Sequence, residues 1–335
     1  MTERKKYFLL CLVAVCLAYF VIVLGAYTRL TDSGLGCPDW PGCYGELFMP
    51  ADSSFEAQAN SAYPERPLEH AKAWTEMAHR YAAGTLGLLI LSLAIFCGWA
   101  KKRGSDLPLV LPILLLGLVI FQAALGMWTV TLLLKPVVVM GHLLGGMSIL
   151  ALLWWLLINT RFPVISVQWN RVTWFILCAV CVLFGQIALG GWTSANYAAL
   201  ACVDFPQCQA SWWPEMDFPQ GFVLWRGTGI DYEGGILDQA ARTAIHVTHR
   251  IGAVITFLVI TAVSVYAMLA GARKLFACGL AVLVLLLLQV SLGIANVLLV
   301  LPLPIAVAHN GVAALLLLAL ITLLHFSRSI QTQAG

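Results

Sequence analysis

The chain has 335 residues, of which 61% are hydrophobic and only 10% are charged. This composition excludes a soluble globular protein and indicates a polytopic membrane protein. The net charge of +3 is small, and it gives no indication of a nucleic-acid partner.

Eight apolar stretches follow one another along the chain, and they do not alternate polar with apolar residues as barrel strands do. Each is about 20 residues or longer, which is enough for a helix to cross the roughly 30 Å hydrocarbon layer of a bilayer. The predicted spans are 7–28, 71–99, 107–130, 137–160, 172–193, 242–270, 275–300 and 305–326. The predicted fold class is therefore an all-α polytopic membrane protein with eight transmembrane helices surrounded by membrane lipids.

The basic residues are distributed unevenly between the two ends of these spans. If the N-terminus is cytoplasmic, the inner segments carry eleven of the nineteen Lys and Arg residues. The same segments carry only two of the sixteen carboxylates, Glu3 and Asp106. An excess of Lys and Arg is typical of cytoplasmic segments. We therefore predict that both the N- and C-termini are cytoplasmic.

Short motifs in the first half of the chain recur in the same order, and at nearly constant spacing, in the second half. The matched motifs are "CPDWPGC" (37–43) with "CVDFPQC" (202–208), "EMAHR" (76–80) with "HVTHR" (246–250), "QAALG" (122–126) with "QVSLG" (289–293), and "GHLLGG" (141–146) with "AHNGVA" (308–313). We predict a tandem duplication in which residues 1–165 and 166–335 each form a four-helix bundle. Because four is an even number, the two repeats are parallel rather than inverted.

Four histidines occupy matched positions in the two halves: His79, His142, His249 and His309. At 1.5 Å of rise per residue, each lies roughly 8–12 Å below the outer membrane surface. A lone histidine in a transmembrane helix is usually a polar group satisfied by a neighbour, but two matched pairs at one depth suit a six-coordinate heme iron. Zinc is less favoured because no Cys or carboxylate cluster joins them, and a metal-free proton relay is the alternative.

Three arginines are candidates for binding the carboxylates of a heme. Arg80 and Arg250 each follow a matched histidine, and Arg29 lies at the outer end of the first span. A guanidinium pairs with a carboxylate through two hydrogen bonds, which suits a heme propionate. The alternative is an arginine that extends to the interface near a helix end.

One acidic residue distinguishes the two halves. Glu76 precedes His79 by three residues and so lies on nearly the same helical face, whereas His246 takes its place in the second half. A carboxyl group in an apolar pocket is suited to act as an acid or base. This asymmetry predicts one catalytic site and one cofactor site. The alternative is that Glu76 only pairs with an outer arginine.

Two cysteine pairs lie in loops on the predicted extracytoplasmic side, which is oxidising. We expect two short-range disulfides, Cys37 with Cys43 and Cys202 with Cys208. They are either structural or, in the first loop, a redox-active pair above Glu76. Aromatic residues in the same loops are candidates to cover a large flat ligand: Trp40, Phe205, Trp212 and Trp213.

Together, "GAYTRLTDSGLGCPDWPGCYG", "EMAHR", "GHLLGG", "HVTHR" and "AHNG" resemble the heme A synthase family over nearly the whole chain, and the paired cysteines are similar to its cysteine-containing bacterial type. The resemblance implies an enzyme of cytochrome oxidase assembly that oxidises a ring methyl of heme O to a formyl group, giving heme A for a terminal oxidase. It implies heme O synthase, a farnesyltransferase, as the partner that supplies heme O. It also implies a multi-pass location in the bacterial cytoplasmic (inner) membrane, with the catalytic histidines near the periplasmic side.

The resemblance further implies roles for individual residues. The C-terminal half would hold the cofactor heme b, ligated by His249 and His309. The N-terminal half would receive heme O between His79 and His142, with Glu76 as the essential glutamate.

Three other functions remain open from the residues alone. A non-catalytic di-heme electron carrier, or a thiol–quinone oxidoreductase, explains the histidines and cysteines but gives Glu76 no task. A transporter built from parallel repeats explains only the duplication. The sequence also leaves open whether the chain forms a homo-oligomer.

Overall fold

A computed structural model describes residues 2–48, 53–163, 169–270 and 272–328. Within these ranges the chain forms ten helices and no strand, with two isolated β-bridges. The helices are α1 (Glu3–Leu30), α2 (Ser53–Ala62), α3 (His70–Lys102), α4 (Val110–Thr131), α5 (Pro136–Arg161), α6 (Arg171–Ala195), α7 (Phe218–Gly221), α8 (Gln239–Leu269), α9 (Arg273–Leu298) and α10 (Leu303–Ser327). In the described residues, eight helices are long and apolar enough to cross a membrane, all except the short α2 and α7. This confirms the predicted all-α class and its eight spans.

The observed helix ends have local causes. Pro136 occupies the first turn of α5, where its missing N–H costs nothing. The side chain of Asp238 caps α8 by accepting a hydrogen bond from the Ala241 amide at 2.8 Å. The third predicted span began at 107, whereas α4 begins at Val110. Leu107 lies outside α4 because the residue before a proline, here Pro108, is disfavoured in a helix.

Contacts between the long helices define two four-membered rings. In the first, α1 contacts α3, α3 contacts α4, α4 contacts α5, and α5 contacts α1. The second repeats this order with α6, α8, α9 and α10. The rings meet where α1 contacts α10, α5 contacts α6, and α5 contacts α10. The predicted boundary between the halves, at 165/166, lies outside the described residues.

The two cysteine loops are built in the same way. Disulfides join Cys37 to Cys43 and Cys202 to Cys208, which confirms the predicted pairing. In the first loop Asp39 accepts hydrogen bonds from the amides of Tyr44 and Gly45, at 2.7 and 2.8 Å.

In the second loop Asp204 accepts hydrogen bonds from the amides of Gln209 and Ala210, at 2.7 and 2.8 Å. The amide of Ala210, followed by that of Gln209, holds the pKa of the Asp204 carboxyl below its ordinary value. Each disulfide loop is therefore fixed by a carboxylate that binds the backbone just after the second cysteine.

Candidate functional site

In the described part of the chain, a large cavity of about 1570 Å³ extends through both rings. Pockets for one small ligand usually measure roughly 300–1,000 Å³, so this cavity has room for more than one. Its walls are mainly apolar, and all four repeat-matched histidines line it: His79, His142, His249 and His309. They project from α3, α5, α8 and α10, the helices on which the sequence placed them.

The first histidine pair faces across the first ring. The ring centroids of His79 and His142 are 6.3 Å apart, and their planes are inclined by 74°. Because metal–imidazole bonds measure about 2.0–2.1 Å, two imidazoles on opposite sides of one metal have centroids about 6 Å apart. The Nδ1 atoms of both rings are buried and have no hydrogen-bond partner in the described part of the chain. The pair therefore has the separation and the free nitrogens that a metal between the rings requires.

The second pair is held by glutamine side chains. The Gln186 Nε2 lies 3.1 Å from Nδ1 of His249 and donates to the His249 carbonyl at 3.0 Å. The Gln289 Nε2 lies 3.2 Å from Nε2 of His309. Each amide N–H here donates to the ring nitrogen. A metal-ligating imidazole instead carries N–H on its second nitrogen, so each amide would present its Oε1, and both Oε1 atoms are buried without a partner in the described residues.

The first pair has fewer contacts of this kind. Gln122, the match of Gln289, donates to the backbone carbonyl of His142 at 2.6 Å rather than to its ring. Val21 stands at the position that matches Gln186. The second pair therefore differs in the amide contacts made to its rings, while in the first pair the Val21 backbone accepts a hydrogen bond from His79.

Each of the four histidines packs against a glycine on an adjacent helix, a feature that the sequence interpretation missed. The contacts are Gly25 with His79, Gly126 with His142, Gly190 with His249, and Gly293 with His309. A Cβ added to Gly25 would lie 2.8 Å from Cε1 of the imidazole, and the other three distances are 3.2–3.3 Å. The repeat could have identified these glycines, because they recur at the same offsets as the motifs around them.

The acidic residue predicted to be catalytic is buried beside the first disulfide loop. Glu76 is only 4% exposed and lines the cavity. Its Oε2 accepts a hydrogen bond from the Cys37 amide at 2.8 Å. Its Oε1 pairs with Arg80, one turn further along α3, at 2.5 Å. The arginine that pairs with Glu76 therefore lies on the same helix, α3.

Arg80 also fixes the first disulfide loop. Its guanidinium donates to the carbonyl oxygens of Asp39 and Pro41, at 2.9 and 3.2 Å, and to that of Gly42. These bonds occupy most of its donors, while the side chain still lines the cavity. Its predicted role toward a heme propionate stays a prediction.

Arg250 fixes the second disulfide loop in the same way. It donates to the carbonyls of Asp204 and Gln207, both at 2.8 Å. No acid accompanies it at the position of Glu76, because His246 is there. The ring of His246 is 4% exposed, and its Nδ1 lies 2.9 Å from the Ala198 carbonyl. The asymmetry seen in the sequence is thus also an asymmetry of contacts.

Arg29 lies where the two rings meet. It donates to the Ser194 carbonyl at 2.6 Å, and its guanidinium lies 4.2 Å from the ring centroid of Tyr197. It also pairs with Asp32 at 3.3 Å. Its Nε is buried without a hydrogen-bond partner among the described residues. Arg29 therefore joins the halves and borders the cavity at the same time.

The mouth of the cavity is aromatic. The loop residues that the sequence proposed as a cover all line it and are at least 40% exposed: Trp40, Phe205, Trp212 and Trp213. In the described part of the chain, no group of three or more His, Cys, Asp or Glu side chains is placed to hold a metal ion.

Comparison with known sequences identifies the family. The profile of the family described as "Cytochrome oxidase assembly protein" matches residues 8–321. The chain belongs to the cytochrome oxidase assembly protein family. This confirms the family indicated by the sequence motifs.

Several relatives, each named Heme A synthase, are similar to this member of the cytochrome oxidase assembly protein family. The protein of Shewanella oneidensis is 47% identical over 313 residues, which cover 91% of this chain and 92% of that protein. The protein of Rhizorhabdus wittichii is 28% identical over 338 residues, covering 93% and 91%. The protein of Halalkalibacterium halodurans is 28% identical over 210 residues, covering 60% and 63%.

In this member of the cytochrome oxidase assembly protein family, most predicted site residues border one cavity. They are Arg29, Glu76, His79, Arg80, His142, His249, Arg250 and His309. Of the four loop cysteines only Cys208 lines the cavity, and the other three are fully buried: Cys37, Cys43 and Cys202 are each 0% exposed. Their burial restricts access of an external thiol.

Proposed function

We propose that the chain is a heme A synthase, which oxidises a ring methyl group of heme O to a formyl group and so provides heme A for a terminal oxidase. The observation that carries the proposal is the facing pair of His79 and His142 in a large cavity, with the buried carboxylate of Glu76 on the same helical face. The relatives named Heme A synthase support the same activity.

In this proposal the substrate heme O lies between His79 and His142, and Glu76 acts on protons. When water supplies the oxygen atom and an external electron acceptor takes the electrons, oxidation of a methyl group to a formyl group releases protons, which a carboxylate at the cavity wall can accept. The Cys37 amide and Arg80 each bind one oxygen of Glu76, and so hold the carboxylate in a fixed position. The first disulfide loop thereby positions the proposed catalytic group.

We infer that the second half holds heme b as a resident cofactor, ligated by His249 and His309. The residues fit this group, because both imidazoles have glutamine partners and both rest against glycines. When bound, heme b supplies one-electron redox chemistry. The two glutamines orient the imidazoles for a cofactor that stays in place, whereas the first pair binds a molecule that must leave.

We propose the membrane arrangement predicted from the sequence: two parallel repeats, 1–165 and 166–335, in the bacterial inner membrane with cytoplasmic termini. Lys101 and Lys102 lie at the end of α3 remote from His79, in keeping with a cytoplasmic side there. The disulfide loops lie at the histidine end, in keeping with an oxidising periplasm. Heme O synthase and a terminal oxidase remain the proposed partners.

The activity is tested by expressing the chain together with heme O synthase and chromatographing the extracted hemes. We expect heme A to accumulate with the native chain. With Glu76→Gln we expect heme O and heme b to remain while heme A disappears. If the native chain carries heme yet produces no heme A, the proposal is wrong. A di-heme electron carrier would instead keep its function in Glu76→Gln.

A further inference from the structure

The cavity is not equally deep in the two halves. On α3 its lining continues from His79 to Leu91, twelve residues or about 18 Å along the helix axis. On α8 the lining continues from His249 only to Phe257, eight residues or about 12 Å. The first half therefore has a deeper arm that extends from the histidine pair toward the cytoplasmic side.

This deeper arm, called the tail groove below, lies between α3 and α4. Its lining residues are Gly84, Gly87, Leu88 and Leu91 on α3 and Leu116 and Ile120 on α4. Apart from the glycines, these residues are all leucine or isoleucine. Leu88 is 66% exposed and Ile120 is 64% exposed, so the groove also opens toward the lipid.

Two glycines create the extra space. A Cβ added to Gly84 or Gly87 would meet no atom within 4 Å. When the two halves are aligned on His79 and His249, the matching positions of the second half hold Val254 and Phe257. Both of these side chains line the cavity, Val254 at 59% exposure, and each adds side-chain volume that a glycine lacks. The halves therefore differ in depth because small residues in one are replaced by large ones in the other.

We propose that the tail groove holds the farnesyl tail of heme O, and that Gly84 and Gly87 thereby select a tailed heme for the first site. This rests on the proposed function. The groove joins the His79–His142 pair directly, where both Nδ1 atoms are buried and unpartnered in the described residues. A macrocycle at the imidazoles would place an apolar substituent at the head of an apolar groove. The second half, filled by Val254 and Phe257, takes a heme without a tail.

The test transfers the residues of the second half to the first. The double variant Gly84→Val/Gly87→Phe is purified at full length from cells that lack heme O synthase, with its heme b in place. Heme O and heme B, which lacks the tail, are then titrated and followed by the Soret absorption. We expect heme O affinity to fall at least about tenfold, because the tail loses its apolar contacts. Heme B affinity for the first site should change less than about threefold.

The matched control is Gly117→Val on α4. Gly117 also has no atom within 4 Å of an added Cβ, but it lies outside the cavity lining, and its match Val284 is 55% exposed. We expect it to bind both hemes as the native chain does. If the double variant does not retain heme b, Leu91→Trp fills the deep end of the groove without altering the glycines. We expect the same selective loss of heme O.

Two results would overturn the tail groove: unchanged heme O affinity in the filled variants, or an equal fall for heme O and heme B. Failure of the proposed function looks different. In that case the native chain binds heme O more tightly than the filled variants but forms no heme A.

Discussion

The backbone of Gly25 on α1 lies directly against the imidazole of His79 on α3. An added Cβ would come within 2.8 Å of Cε1, a separation at which one of the two groups must move. Three further glycine–histidine contacts in the cavity have the same form at 3.2–3.3 Å. The orientation of each imidazole is thus set partly by the adjacent glycine, which has no side chain and lets the ring approach the backbone.

Gly25→Ala should therefore displace His79 and weaken the first site alone. We expect heme A formation to fall at least about tenfold, because misplacement of a reacting group by about 1 Å can cost far more than that. Heme b should be retained, because His249 and His309 are untouched. Extracted hemes are measured by chromatography, with Gly117→Ala as the control for a glycine in open space. Normal heme A formation in Gly25→Ala would contradict this account of the contact.

Gln186 provides a second test, this time of the resident site. Gln186→Val copies Val21 of the first half and removes the partner of the His249 ring. Loss of such an outer contact typically weakens metal binding about 10–100-fold, so we expect weaker heme b retention and a shifted reduction potential. Both are measured on purified protein by hemochrome assay and redox titration.

The control for Gln186→Val is Gln122→Val. Gln122 contacts the carbonyl of His142, not a ring of the second pair. The Gln122→Val variant should therefore retain the native amount of heme b, with an unchanged reduction potential. Equal loss of heme b from both variants would show that the glutamines act through general packing.

The sequence predicted the eight spans, and it singled out four histidines that line one cavity, for identifiable reasons. Hydropathy alone marks a helix that must cross lipid, and duplication selects the histidines that recur. It did not predict the short α2 and α7, because each is too short for its apolar residues to show a clear helical period. It also missed the glycine contacts, because they depend on how far each helix is rotated toward its neighbour. The local sequence around Gly25 does not specify that rotation.

The arginines illustrate the same limit. Arg80 and Arg250 each follow a matched histidine, and the affinity of a guanidinium for a carboxylate suggested a heme propionate as their partner. The structure shows that both side chains bind carbonyls of the disulfide loops. Such contacts depend on how a loop folds back over a helix end. No short-range sequence pattern encodes that path.

Removal of the two disulfides should separate stability from catalysis. Each bridge closes a loop with a sequence separation of 6, for which loss of the bond costs about 2 kcal/mol. Cys37→Ser/Cys43→Ser and Cys202→Ser/Cys208→Ser should thus lower the unfolding temperature by similar amounts. Only the first should also reduce heme A formation, by about tenfold or more, because the Cys37 amide binds Glu76.

Thermal unfolding in detergent and heme chromatography measure these two effects. An equal loss of heme A formation in both double variants would contradict a positioning role for the first loop alone. Native levels of heme A in Cys37→Ser/Cys43→Ser would contradict it as well.

The last prediction concerns the buried pair of Glu76 and Arg80. Arg80→Gln leaves the Glu76 carboxylate buried without its cation, and breaking a buried pair in this way costs about 3–5 kcal/mol. Glu76→Gln is milder, because the new amide oxygen still accepts from Cys37 while Arg80 keeps its bonds to the Asp39 and Pro41 carbonyls. We therefore expect a larger fall in unfolding temperature for Arg80→Gln than for Glu76→Gln.

Arg250→Gln is the matched control, because Arg250 makes the same kind of loop contacts but has His246 where Arg80 has an acid. It loses carbonyl contacts and exposes no buried carboxylate, so its unfolding temperature should fall less than that of Arg80→Gln. If the two arginine variants unfold at the same temperature, the instability comes from the loop contacts, and the Glu76–Arg80 pair contributes nothing of its own. If Arg80→Gln is the less stable by several degrees, the Glu76–Arg80 pair contributes to stability beyond the loop contacts.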